Sequence, residues 1–167
     1  MFLYGSAYNR FDVSIANSSS AALREEANAP GDFKSNVYDL SVFDSRSVGT
    51  IKTSNNIARV LASDLQTNGM TIGGNNNHVT FVVDKANTDN NGSVSLVVSG
   101  THNIVDVIAS NNPNTFNDVT ISGNKNIIRV MGDGVLRLTG DNNIVTGFAG
   151  SVIDEGTGNE TSGVLTY

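Results

Sequence analysis

Apolar and polar residues alternate in eight short stretches of this chain, and each stretch begins directly after an asparagine. The anchors are Asn9, Asn36, Asn56, Asn77, Asn103, Asn126, Asn143 and Asn159, separated by 27, 20, 21, 26, 23, 17 and 16 residues. The second, fourth and sixth residues after each anchor are nearly all apolar. They read Phe11/Val13/Ile15, Tyr38/Leu40/Val42, Ala58/Val60/Ala62, Val79/Phe81/Val83, Val105/Val107/Ala109 and Ile128/Val130/Gly132. The last two sets weaken to Val145/Gly147/Ala149 and Thr161/Gly163/Leu165. A period of two over six or seven residues is strand periodicity, so these positions are expected to face one interior.

A second short strand precedes most anchors, as in Thr50-Ile-Lys-Thr53, Met70-Thr-Ile72, Val94-Ser-Leu-Val-Val98, Val119-Thr-Ile-Ser122 and Val135-Leu-Arg-Leu138. The anchor then lies at the bend between two strands. Asparagine suits that place because it tolerates left-handed backbone and bonds its own main chain. Three bends read Gly-x-x-Asn, at Gly100, Gly123 and Gly140, and a fourth reads Gly156-Thr-Gly-Asn159. Self-similarity at this spacing marks a stacked-repeat protein. The predicted fold is all-β: a single-stranded right-handed parallel β-helix, or solenoid, of about eight coils, forming one domain over residues 1–167. Asn56, Asn77, Asn103, Asn126, Asn143 and Asn159 are expected to stack as a structural ladder.

The first third departs most from the repeat. Ala16–Ala21 and Ala27–Asp32 read as turn-rich insertions, and Ala22–Glu26 suits either a helical turn or the second strand of its coil. Asn87–Gly92 and Asn111–Thr115 read as further loops. Pro30 and Pro113 fall in these loops, outside every expected strand. The opening Met-Phe-Leu-Tyr-Gly lacks the basic and apolar regions of a secretory signal. Phe2-Leu3-Tyr4 reads as the end of a coil that starts upstream, which makes the chain the C-terminal part of something longer.

Composition narrows the function classes. The net charge of −6 comes with no Lys/Arg cluster, so no nucleic-acid partner is expected. The chain has no cysteine, which excludes disulfides and thiolate metal sites. No apolar run reaches the roughly 20 residues of a membrane-spanning helix, and no membrane insertion is expected.

Counting outward positions brings candidate chemistry together. The third residues after the anchors set Asp39 beside Arg59 and Asp106 beside Arg129, as ion pairs across neighbouring strands. The fifth residues are apolar from Leu61 onward: Leu61, Val82, Ile108, Met131, Phe148 and Val164. With Ile57, Ile104, Ile127 and Ile144 at the first position, they form an apolar strip along the outside. Such a strip is expected to be covered by another subunit. Leu61, Val82, Ile108, Met131 and Phe148 are the candidate interface of a homotrimer, three rods around one axis. Asp39, Asp84 and Asp106 are the catalytic candidates, because glycosidases use paired carboxylates, although no local motif pairs any two of them. For the glycan contacts that the family resemblance given below implies, Arg59, Asp106 and Arg129 are the candidates.

Other motifs are weaker. Asn87-x-Asp89-x-Asn91-Gly92 mimics half a calcium loop but lacks its closing glutamate and reads as a plain turn. His78 and His102 have no neighbouring acids, so no metal and no cofactor is expected. Asn17, Asn91 and Asn159 begin glycosylation sequons of the kind an Asn- and Ser-rich chain holds by chance. Phe43, Phe116 and Tyr167 remain as aromatic platforms for sugars.

With its repeats laid out, the chain resembles the pectate-lyase-like right-handed parallel β-helix superfamily. Within it, the chain is most similar to bacteriophage tailspikes and capsule depolymerases. The segments that carry the likeness are Tyr8-Asn-Arg-Phe-Asp-Val13, the three Gly-x-x-Asn turns and Val152–Asn159. The resemblance implies recognition of bacterial surface polysaccharide on the flank of the helix, with hydrolase or lyase activity open, a homotrimer, and a place in a virion tail. For a bacterial protein it implies a secreted or cell-surface location. Two other readings stand beside this one: a free-standing bacterial polysaccharide lyase or hydrolase, and a purely structural shaft or adhesin segment.

Overall fold

The computed structural model describes residues 2–4, 7–26, 35–65, 69–86, 94–109, 116–132 and 134–166. Among these the chain forms sixteen strands and no helix. They are β1 (Phe2–Tyr4), β2 (Arg10–Ala16), β3 (Ala21–Glu26), β4 (Val37–Phe43), β5 (Ser47–Ile51), β6 (Ile57–Leu65), β7 (Met70–Ile72), β8 (His78–Ala86), β9 (Val94–Val98), β10 (Ile104–Ala109), β11 (Phe116–Ile121), β12 (Ile127–Met131), β13 (Val135–Leu138), β14 (Ile144–Ala149), β15 (Ser151–Asp154) and β16 (Glu160–Thr166). The chain changes sheet at every strand. Odd-numbered strands make one eight-stranded sheet and even-numbered strands the other, each in chain order. Every pairing is parallel. This is the arrangement of a parallel β-helix or solenoid. The segment 22–26, open between helix and strand in the sequence, belongs to β3. The loops at 27–32, 87–92 and 111–115 lie outside the described residues.

The interior follows from the alternation. Tyr38, Leu40 and Val42 of β4, Val79, Phe81 and Val83 of β8, and Val105 and Val107 of β10 are all buried. From the odd sheet they meet Val48, Ile51, Ile72, Leu96, Val98, Ile121, Leu136 and Leu138 in one continuous core. Phe11 stacks on Tyr38 with ring centroids 5.3 Å apart, and the Tyr38 hydroxyl accepts a hydrogen bond from Asn36 Nδ2 at 3.1 Å. The buried ring therefore keeps its polar end satisfied.

The anchor asparagines stand in register. The backbone N–H of each donates to the side-chain Oδ1 of the next: Asn9 to Asn36 (3.0 Å), Asn36 to Asn56 (2.9 Å), Asn56 to Asn77 (2.8 Å), Asn77 to Asn103 (2.8 Å), Asn103 to Asn126 (2.8 Å), Asn126 to Asn143 (2.9 Å) and Asn143 to Asn159 (2.8 Å). The side-chain amide reaches the other way, to the glycine that opens the preceding bend. Asn126 Nδ2 donates to the Gly100 carbonyl and Asn143 Nδ2 to that of Gly123, both at 3.0 Å. Asn36, Asn56, Asn77, Asn103, Asn126 and Asn143 are buried, so these bonds satisfy groups that water does not reach. Two residues earlier a second, exposed ladder runs with the opposite sense. Thr101 N donates to Asn75 Oδ1 (2.8 Å), Asp141 N to Asn124 Oδ1 (2.7 Å) and Thr157 N to Asp141 Oδ1 (2.8 Å).

Two expectations are corrected. The left-handed residue of the bend is not the anchor but the one before it: Tyr8, Asn55, Asn76, His102, Lys125, Asn142 and Gly158 have φ between 55° and 68°. The anchor is spent on bonding to its neighbours along the stack, and the sharp turn falls one residue earlier. Lys125, exposed at φ 56°, carries the cost of that conformation without a compensating bond of asparagine type. Lys125→Asn is therefore expected to raise stability by roughly 0.5 kcal/mol, read as a shift in the urea midpoint at unchanged slope.

The second correction concerns β16. Gly163 and Leu165 point outward, Leu165 being 70% exposed, while Val164 packs against the core. The pairing of β14 with β16 slips between Ile144↔Glu160 and Thr146↔Gly163, which sets Val164 opposite Gly147 and Leu165 opposite Phe148. Gly147 has φ 111°, and a Cβ there would lie 2.1 Å from the Val130 carbonyl oxygen. The one-residue bulge in this pairing is what turns Val164 to the core side.

Candidate functional site

The outward face of the even sheet carries the chemistry. Strand register lines up three columns of outward side chains, each step about 4.8 Å. The central column runs Asp12, Asp39, Arg59, Thr80, Asp106, Arg129, Thr146 and Gly163. On one side of it lie Arg10, Val37, Ile57, His78, Ile104, Ile127, Ile144 and Glu160; on the other lie Ser14, Ser41, Leu61, Val82, Ile108, Met131, Phe148 and Leu165.

Asp39 is held from both sides. Arg10 Nη2 reaches its Oδ2 at 2.6 Å and Arg59 Nη1 its Oδ1 at 3.2 Å. Further along, Arg129 Nε contacts Asp106 Oδ1 at 3.0 Å. The arginine side chains are more than half exposed, so each pair contributes at most about 1 kcal/mol to stability. Their effect is to fix guanidinium and carboxylate groups in place on the surface. Arg10 had no role in the sequence reading. The signal was present, since the first position holds arginine in β2 and isoleucine in β6, β10, β12 and β14.

Around Asp39 the face sinks into an open depression of about 350 Å³, lined by Asp12, Asp39, Ser41, Arg59, Leu61 and Thr80 among others. A second depression, about 290 Å³, lies on the odd sheet between Ser47, Thr50, Thr71 and Ser95 and has no charged side chain in its lining.

The three catalytic candidates do not converge. Asp39 and Asp106 lie three strands apart, about 14 Å, beyond the roughly 5–9.5 Å that separates glycosidase carboxylates. Asp84 lies four residues past Thr80, the residue level with Asp106, which is about 13 Å along the strand. Asp12 and Asp39 are direct neighbours in register. Of the glycan-binding candidates, Arg59 lines the depression, while Asp106 and Arg129 pair with each other farther along the column. Phe43 is 52% exposed at the end of β4. Nothing is described of the Phe116 side chain or of Tyr167. Among the described residues no three His, Asp or Glu side chains gather as a metal site, and no helix is long and apolar enough to cross a membrane. The half calcium loop at 87–92 lies outside the described residues.

No family model matches this chain, and comparison with curated proteins and with solved structures finds no match either.

Proposed function

We propose that this chain is a right-handed β-helix that binds a polysaccharide in the depression around Asp39 and associates with other subunits through the apolar columns beside it. The observation that carries the first part is the braced Arg10–Asp39–Arg59 cluster, set beside apolar Leu61 and Val82. A sugar ring offers hydroxyls that both donate and accept, and an apolar face of C–H groups. Guanidinium donors, carboxylate acceptors and a flat aliphatic edge within one shallow cleft match that combination. Right-handed winding is what strand–crossover–strand connections adopt in nearly all sheets. The likeness to tailspikes makes bacterial surface polysaccharide the first ligand class to test.

The test is an array of capsular and O-antigen polysaccharides, followed by titration of any glycan retained. Arg59→Ala is expected to weaken binding at least tenfold, about 1.4 kcal/mol, while moving the unfolding midpoint by less than about 1 kcal/mol. Unchanged binding in that variant would remove the ligand from this cleft. Retention of no glycan by the unmodified protein would favour the structural-segment reading instead.

A further inference from the structure

The first outward column of the even sheet changes character at its two ends. Between Arg10 and Glu160 it runs through Val37, Ile57, His78, Ile104, Ile127 and Ile144. Its one arginine and its one carboxylate therefore stand at opposite tips of the stack. The core opens at the same two places. Among the described residues its partly buried members are Phe11, Val13 and Ile15 of β2, Val152 of β15 and Val164 of β16. β1 and β2 are the outermost strands at one end, β15 and β16 at the other, so each end presents one strand edge from each sheet. Such an edge offers a row of main-chain donors and acceptors to a matching strand.

We infer that each tip is covered by the opposite tip of a second copy, stacked on the same axis in the same direction, with β16 pairing β2 and β15 pairing β1. The inference rests neither on the glycan nor on the apolar columns. β2 and β16 are both seven residues long, and each directly follows a ladder asparagine. Joined in register, Asn159 N meets the second copy's Asn9 as Asn143 N meets Asn159 within the chain. The second copy's Arg10 N meets the Asn159 carbonyl as Glu160 N meets that of Asn143. The backbone of the joint thus repeats the backbone of each step inside the molecule.

The side chains favour this joint over others. Glu160 lies beside the second copy's Arg10, opposite charges directly across a sheet. Arg10 holds Asp39 through Nη2, and a guanidinium has further N–H groups to give. No two neighbouring strands inside the chain pair charges at this column, so the match is more than the repeat continued. Val13 covers Val164, the two ends of one inward column, and Asp12 meets Gly163, which has no side chain to oppose it. A joint between two C-terminal tips finds no cation for Glu160, since neither β15 nor β16 carries one. The cleft around Asp39 faces outward from the sheet, and strands added at the edge leave it open. A head-to-tail contact does not close on itself, so the product is a linear stack.

The chain contains no cysteine, so cross-linking reads the joint directly. Ser14 and Leu165 end one outward column, seven strands and about 34 Å apart within one chain. Across the joint they are neighbours. With a short thiol cross-linker, Ser14→Cys/Leu165→Cys is expected to give a ladder of dimers, trimers and longer products on a denaturing gel. Each single variant is expected to stay single-chain. Light scattering of the unmodified protein is expected to show a mean mass that rises with concentration. Glu160→Arg is expected to weaken the association about fivefold at an unchanged unfolding midpoint. A constant single-chain mass with no ladder overturns the stack. So does a fixed multiple of the chain mass that Glu160→Arg leaves alone, which is the signature of association through the sheet face. Efficient cross-linking of Leu165→Cys alone, or a ladder that stops at the dimer, overturns the head-to-tail direction.

Discussion

Gly123→Ala is expected to destabilise the protein by about 4 kcal/mol or more, enough to remove most of a typical domain's stability. A Cβ at residue 123 would lie 1.8 Å from the Gly100 carbonyl oxygen and 2.8 Å from the Gly100 carbonyl carbon. Both obstructing atoms are backbone, so no side-chain rotation relieves the overlap. The bends would have to separate, and Gly123 N and Asn126 Nδ2, which bond the Val98 and Gly100 carbonyls at 3.0 Å each, would lose their partners. Gly100, Gly140 and Gly156 meet the preceding bend in the same way. Gly73 supplies the control, because the nearest atom to a Cβ there is 3.6 Å away. Gly73→Ala is expected to change stability by no more than about 0.5 kcal/mol. Urea unfolding of both variants makes the comparison, and equal midpoints would show that the bends are not in contact.

Asn126→Leu is expected to cost about 3–5 kcal/mol. The asparagine accepts from Asn103 N at 2.8 Å and Asn103 Nδ2 at 3.1 Å, and donates to the Gly100 carbonyl at 3.0 Å. Leucine fills a similar volume but strands a buried N–H and a buried carbonyl, and each such group costs about 1–3 kcal/mol. The same change at Asn159 removes bonds to Asn143 and Gly140, yet Asn159 is only half-buried, so water takes over part of the work. Its cost is expected to be less than half as large. Thermal or urea midpoints of the two variants decide the matter; equal losses would mean that burial does not set the strength of the ladder.

Much of this arrangement was legible in the residues because the period is strict. Counting two, four and six from each anchor gave the buried positions of β4, β6 and β8, and counting three set Asp39 beside Arg59 and Asp106 beside Arg129. The same counting failed in β16. Thr161-Ser-Gly-Val-Leu165 contains too little apolar contrast to fix a register, and the slip that turns Val164 inward arises in its pairing with the neighbouring strand. The left-handed position was illegible for a different reason. Asn55, Asn76, Asn142 and Gly158 suit it, but the anchors beside them are asparagine too, and Tyr8 and Lys125 dilute the signal. The second guanidinium on Asp39 was missed because Arg10 reaches it diagonally, while a count along the columns pairs Arg10 with Val37. The separation of Asp39 from Asp106 was within reach of the same count, since both stand third after their anchors and three steps of about 4.8 Å part them.

The hydrogen-bonded bends also determine how damage spreads. Each link ties a step only to the step on either side, so cohesion accumulates by addition and has no single centre. A lesion at residue 123 or 126 cuts such a column into two short lengths, each with one more raw end to fray. A lesion at residue 159 only trims it. Among substitutions that break a link, distance from the nearest end of the ladder then governs how much of the molecule survives.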